Sequence, residues 1–257
     1  MKKKIAIVTG ASAGMGRDFV KELQKEKNVD EIWMIARRKE RLDAMAEKSN
    51  GRLRAFALDL TDMNSFDSFE EILKKEKPQI QYLVNAAGAG RMGKVEEISY
   101  NDHSFVLDIN VRALTCMSRI CLPYMGKGSR IIQLCSGSAF LPQPEFASYA
   151  ASKSYVLSFS RALRREVKKK GITVTAVCPG PVNTEFFEAA GSEIAPAKKR
   201  FLVESKEVVR KAIKDAKFGK ELSVYGMSMK LVHLAGKLLP TRVVLSVMNQ
   251  MMTKNEE

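Results

Sequence analysis

Tyr149 and Lys153, in the run Tyr149-Ala150-Ala151-Ser152-Lys153, stand four residues apart, a spacing that brings a phenol and an ammonium onto one helix face. A free phenol ionises near pH ~10, and a fixed positive charge within reach stabilises its anion. The pair can therefore move a proton at neutral pH; the competing reading is a solvated surface pair. A second chemical feature is Thr9-Gly10-Ala11-Ser12-Ala13-Gly14-Met15-Gly16. Glycines let backbone approach a pyrophosphate, and the amino terminus of a following helix supplies free N–H groups and partial positive charge. The spacing G-x-x-x-G-x-G departs from the commoner G-x-G-x-x-G, so a purely structural turn remains open. A third is Ala36-Arg37-Arg38. A dinucleotide site specific for NAD would carry an acid there for the ribose hydroxyls. Arg37, and less strongly Arg38, suits the 2′-phosphate of NADP instead, unless both only solvate a helix start.

These groups need elements to hold them. Short apolar, β-branched runs alternate with segments of helical period, which predicts an α/β fold with a parallel sheet between helices. Strands are expected near Ile5–Thr9, Glu31–Ala36, Leu53–Leu58, Ile80–Asn85, Arg130–Ser136, Ile172–Cys178 and Leu222–Tyr225, and the clearest helices at Gly14–Lys25, Arg38–Lys48, Met63–Lys75, Tyr100–Leu122 and Ser148–Lys170. The architecture implied is a three-layer, Rossmann-type doubly wound sheet of about seven strands in a single domain. Residues 1–226 form its body, with a lid at about 184–205, and residues 227–257 form a C-terminal helical extension. That extension carries an apolar stripe through Met229, Val232, Leu234, Leu238, Val243, Val244, Val247, Met248 and Met251. Core packing or a subunit interface is its first reading, and a basic membrane-surface helix its second.

Composition narrows the chemistry. With 257 residues, 45% hydrophobic and 28% charged, the chain can bury a full core. Only His103 and His233 are present, leaving little material for a histidine-rich metal site or a Ser-His-Asp triad, and no metal is expected. Cys116, Cys121, Cys135 and Cys178 lack C-x-x-C spacing and read as reduced thiols of a cytoplasmic protein. The apolar start Ile5-Ala6-Ile7-Val8 is too short for a secretory signal, and no run long enough to span a membrane follows. The net charge of +14 is scattered over helix faces without a nucleic-acid motif, so no nucleic-acid partner is expected.

Taken in order, these motifs resemble those of the short-chain dehydrogenases/reductases from about Lys4 to Thr184, with a weaker tail to Tyr225. The glycine turn is similar to that family's cofactor turn, Asp59 to its adenine contact, and Asn85-Ala86-Ala87-Gly88 to its fourth-strand motif. Asn110, Ser136, Tyr149 and Lys153 match its catalytic tetrad; the family's serine precedes its tyrosine by thirteen residues, which selects Ser136 over Ser138. The resemblance implies hydride transfer between a nicotinamide cofactor, here NADP(H), and a carbonyl or secondary alcohol. Cofactor contacts would come from Gly10, Ser12, Ala13, Gly14, Met15, Gly16, Arg37, Asp59, Leu60, Asn85, Ala86, Gly88, Asn110, Tyr149, Lys153, Pro179, Gly180, Val182 and Thr184. Ser136 would hold the carbonyl and Tyr149 give the proton. Lys153 would depress the tyrosine pKa and bind ribose hydroxyls, and Asn110 would steady a water.

Ser138, Phe140, Phe146 and Phe186, with Leu141 and Phe187, suggest an apolar substrate pocket of steroid, acyl or aromatic-ketone size. Packing the lid shut is the alternative use of these aromatics. A homo-oligomer, dimer or tetramer, is the expected assembly. Two other functions stay open: a dinucleotide sensor without catalysis, and an NAD-preferring alcohol dehydrogenase of the same fold.

Overall fold

The structure is a computed structural model that describes residues 2–191, 202–240, 242, 243, 245 and 246. Seven parallel strands form the central sheet: β1 (Lys4–Thr9), β2 (Glu31–Ala36), β3 (Leu53–Ala57), β4 (Gln79–Asn85), β5 (Arg130–Leu134), β6 (Thr173–Val177) and, at the far edge, β9 (Leu222–Ser223). Their order is β3-β2-β1-β4-β5-β6-β9. A small second sheet pairs β7 (Val182–Asn183) with β8 (Val203–Glu204), also in parallel.

Side-chain alternation along the strands creates the three layers. Ala6 and Val8 of β1, with Ile32 and Met34 of β2, face α1 (Gly14–Leu23), α2 (Lys39–Glu47) and α8 (Ser205–Lys217), meeting Phe19, Leu23, Leu42 and Val209. Ile5, Ile7, Trp33 and Ile35 face the other way, toward α3 (Met63–Glu76), α5 (Ala113–Cys121) and α6 (Ala147–Glu166), meeting Phe69, Leu73, Met117 and Leu163. Strands covered on both sides read as unbroken apolar runs, and every residue of β2 is buried.

The strand order reverses between β1 and β4, which opens a crevice at their carboxyl ends. Thr9 fixes that boundary, its Oγ1 accepting from the N–H groups of Ala86 and Ala87, both at 3.0 Å.

The helix expected over Tyr100–Leu122 is three pieces: α4 (Tyr100–Leu107), a wider π turn (Asp108–Arg112) and α5. An i→i+5 turn inserts a residue into the helix, and here that turn carries Asn110. The helix expected over Ser148–Lys170 is α6 followed by a 3-10 turn, stopped by Gly171 at φ 69°. β5 ends at Leu134 rather than Ser136 because Ser136 begins the tight turn Gly137–Ala139, its Oγ accepting from Ser138 N at 3.1 Å. Of the expected lid, α7 (Phe186–Ala189) is a single helical turn, and residues 192–201 lie outside the described set. In the C-terminal stripe, α9 (Met227–Leu238) is helical, whereas Val244, Val247, Met248 and Met251 lie outside the described residues.

Candidate active site

The glycine turn joins β1 to α1 at the crevice. Gly10 and Gly14 have φ of 66° and 47°, a left-handed backbone that side chains disfavour. A Cβ on Gly16 would overlap the Gly10 carbonyl, so the turn closes only with glycine there. Ser12 is buried, and Thr184 lies across the crevice, within 3.3 Å of where a Gly14 Cβ would project. Met15 and Val182 pack into the core below rather than lining the crevice with polar groups.

Three elements bring the four expected catalytic residues together. Ser136 leaves the end of β5, and Tyr149 and Lys153 project from successive turns of α6. Asn110 sits in the π turn, where Nδ2 donates to Ala89 O at 2.8 Å and Ser152 Oγ at 2.9 Å, and Oδ1 accepts from Ala89 N at 2.9 Å. That clamp fixes the loop after β4. A Cβ on Gly88 would stand 3.1 Å from Asn110 Oδ1 and 3.4 Å from Lys153 Nζ, so the glycine leaves a hollow between the two polar groups.

Lys153 is 4% exposed, its Nζ 5.5 Å from the centroid of the Tyr149 ring and donating to Leu134 O at 2.9 Å. Burial pushes this ammonium down to about 8. Burial also pushes the Tyr149 phenol above its ordinary value, with a hydrogen bond from Ser136 acting in the opposite direction. The expected depression of the tyrosine is not seen in this site, where loss of hydration raises the phenol and Ser136 is the opposing influence. Cys135, which the sequence shows only as a reduced thiol, donates its Sγ–H to Lys153 O at 3.2 Å and packs behind the pair.

Around the phenol lies an apolar wall. Phe146 stacks on Tyr149 with centroids 4.3 Å apart, and Phe186 approaches at 5.3 Å. Met92 and Val106 join them, and both were missed because single apolar residues in a loop and on a helix carry no chemical signature. Gly90 is the floor, where a Cβ would lie 2.8 Å from Phe146 and 3.0 Å from Phe186. Ser138 donates to Gln143 Oε1 at 3.1 Å, and its Oγ accepts from Ser136 Oγ at 3.2 Å. Phe140 turns from the phenol to His233 of α9, centroids 4.4 Å apart. Phe187 packs edge-on against Phe186.

At the other end of the crevice, Arg38 rather than Arg37 reaches the glycine turn, donating from Nε to Ser12 Oγ at 3.2 Å. Arg37 instead lies 5.6 Å above the centroid of the Phe105 ring. Arg38 and Arg41 both bind Glu185, at 3.0 and 2.9 Å. Two other expected cofactor residues have structural partners. Asn85 donates to Gln133 Oε1 at 2.8 Å and Ser118 Oγ at 3.2 Å, tying β4 to β5 and α5. Asp59 closes a turn by accepting from Thr61 N at 2.9 Å, and Leu60 is buried in the core. Pro179 O accepts from Gly137 N at 2.8 Å, and Gly180 faces Met229. The positive-φ glycine turn, the hollow at Gly88 and the cations beyond β2 fit a nicotinamide dinucleotide laid across the strand ends.

Comparison with known proteins agrees with this geometry. Residues 4–195 match the family described as short chain dehydrogenase. An uncharacterized oxidoreductase of Staphylococcus epidermidis is 29% identical over 201 residues, 77% of this chain and 86% of the relative. A short-chain dehydrogenase from Sphingobium yanoikuyae in complex with NADPH shares the fold at TM-score 0.79 and 24% identity, over 95% of each chain. Another from Burkholderia phymatum, in complex with NAD, does so at 0.78 and 20% identity, over 92% of this chain and 94% of its own. Likeness of sequence through residues 4–195 and likeness of fold over almost the whole length lead to one assignment: the chain belongs to the short-chain dehydrogenase family, as an NAD(P)-dependent oxidoreductase acting on CH–OH groups.

Proposed function

We propose that the chain is an NADP-dependent oxidoreductase whose substrate is an apolar carbonyl compound or the corresponding secondary alcohol, of steroid, acyl or aromatic-ketone size. The observation that carries this reading is the phenol of Tyr149, set beside Ser136 and Lys153 under the wall of Phe146 and Phe186. A bound nicotinamide supplies the hydride chemistry. The protein's part is to orient the carbonyl, exclude water and deliver one proton. Ser136 donates a hydrogen bond to the carbonyl oxygen, and Tyr149 transfers its proton to that oxygen as negative charge develops there.

At neutral pH a phenol raised above its ordinary value holds its proton, and an ammonium that titrates near 8 is still mostly charged. The resting site is therefore charged for reduction. Lys153 then attracts the phenolate left by transfer and offers its N–H groups to ribose hydroxyls, and Asn110 keeps the Ala89 loop in register beneath the reacting atoms. NADP rather than NAD is supported by Arg38 beside Ser12 and by the lack of an acid at Ala36-Arg37-Arg38. Free thiols at Cys116, Cys121, Cys135 and Cys178 suit a cytoplasmic setting, and a homo-oligomer is the assembly we expect. The test is cofactor consumption with a panel of carbonyl compounds, NADPH and NADH run in parallel. Turnover of apolar ketones with NADPH is the expected result; equal use of both cofactors removes the role given to the arginines.

A further inference from the structure

Helix α9 borders the site with one face and leaves the other uncovered among the described residues. Inward, His233 packs on Phe140, Met229 fills the space over Gly137 and Gly180, and Gly236 lies against the Phe140 carbonyl. Outward, Met227, Leu231, Leu234 and Leu238 are 70, 61, 52 and 71% exposed. Their spacings of four, three and four residues put all of them in one stripe, opposite Met229, His233 and Gly236. Lys230 and Lys237, both exposed, run beside the stripe along one flank. From Leu222 to Asn255 the chain has Lys230, Lys237, Arg242 and Lys254 and no Asp or Glu.

We propose that α9 docks on the surface of an anionic lipid bilayer, its stripe among the outer acyl chains and its lysines at the headgroups. Twelve residues are too few to span a membrane, and none of the described helices is long and apolar enough to do so. A helix with an apolar face and cationic flank instead lies in the interface. Charge decides between this occupant and a second copy of the chain. A two-fold interface sets the same patch on both partners face to face. With the two helices antiparallel, Lys230 and Lys237 of both copies fall on the same side of the seam, with no carboxylate on the segment to pair them, whereas anionic headgroups supply that opposite charge. Docking also turns the rim at Phe140 toward the bilayer, so that a carbonyl substrate dissolved in lipid would enter without crossing water. Only this last step rests on the hydride-transfer reading.

The test uses the full chain with vesicles of phosphatidylcholine, alone or mixed with phosphatidylglycerol, followed by co-sedimentation at low and high salt. Binding to the mixed vesicles that weakens with salt is expected. Lys230→Gln with Lys237→Gln should lower it about tenfold or more. Leu231→Asp with Leu234→Asp should abolish it while NADPH binding, followed by fluorescence, is unchanged. The proposal is overturned by absence of binding to the mixed vesicles, or by binding that the leucine pair does not affect. It is equally overturned if the leucine variant converts a dimer to a monomer in sedimentation velocity, since a second copy would then cover the face. Vesicle binding without any NADPH binding would leave the docking standing and remove the hydride-transfer reading alone.

Discussion

Arg38 and Glu185, 147 residues apart in the chain, are joined by an ion pair at 3.0 Å that ties the cationic end of the cofactor crevice to the start of α7. Arg41 holds the second carboxylate oxygen at 2.9 Å, and the two guanidiniums keep the Glu185 carboxyl below its ordinary value. A 2′-phosphate needs the same donors, so Glu185 competes with it. Exposed pairs of this kind are weak, which sets the scale: Glu185→Gln should tighten NADPH binding about two- to fivefold and leave NADH binding unchanged. Fluorescence titration with both cofactors measures it, and equal tightening of the two would contradict the competition. Arg38→Gln should weaken NADPH more than Arg37→Gln does, because Arg38 is the one beside Ser12.

Tyr149→Phe retains the ring that stacks on Phe146 and removes the transferable proton. Turnover should fall by a factor of about 10² to 10⁴, the usual worth of a positioned acid, with NADPH affinity within about twofold of the parent. Stopped assays under saturating cofactor, together with direct titration, separate the two quantities. A variant with full activity would end the assignment of Tyr149 as proton donor.

Lys153 should cost stability in the charged state. Its folded pKa is lowered from 10.5 to about 8 by burial, so the unfolded chain binds the proton more tightly across that interval. Native stability therefore gains from this residue as pH rises from about 8 toward 10.5. At pH 7 Lys153→Met should be inactive yet more stable by about 1 to 3 kcal/mol. The gap between variant and parent should narrow above about pH 8, as thermal unfolding at a series of pH values would reveal. Reduction by the parent enzyme should decline over the same alkaline range as the ammonium is lost.

Asn110→Ala deletes the partners of Ala89 N and Ala89 O in one step. Leaving two backbone groups unpaired in a partly buried loop should cost about 2 to 4 kcal/mol. Activity should drop with it, since that loop carries Gly88 and Gly90 under the reacting groups. Denaturant unfolding monitors the first effect. An unchanged midpoint would mean that water replaces the side chain.

The strands were legible because each is a short apolar run between turn residues, and all seven expected strands coincide with the structure within two residues at each end. The nearness of Ser136, Tyr149 and Lys153 was legible because Tyr149 and Lys153 share a helix and Ser136 opens the turn after a strand. Other features depend on contacts that no local pattern encodes. The π turn at Asp108–Arg112 keeps helical composition while its hydrogen bonding changes. The choice between Arg37 and Arg38 is made by Phe105 and Ser12, both remote in sequence. The direction of the Tyr149 shift follows from how deeply α6 is buried, a tertiary quantity. The bonds from the Asn85 amide nitrogen to Gln133 and Ser118 are likewise set by tertiary neighbours.

The order β3-β2-β1-β4-β5-β6-β9 also bears on how the chain can assemble as it is synthesised. β2 and then β3 add to one side of β1; β4, β5, β6 and β9 add in turn to the other. No strand has to be inserted between two already paired, so each can dock on a free edge as it leaves the ribosome. Until Leu222–Ser223 emerges, the outer edge of β6 is left open, and a nascent chain that stalls before that point presents it to any neighbouring strand.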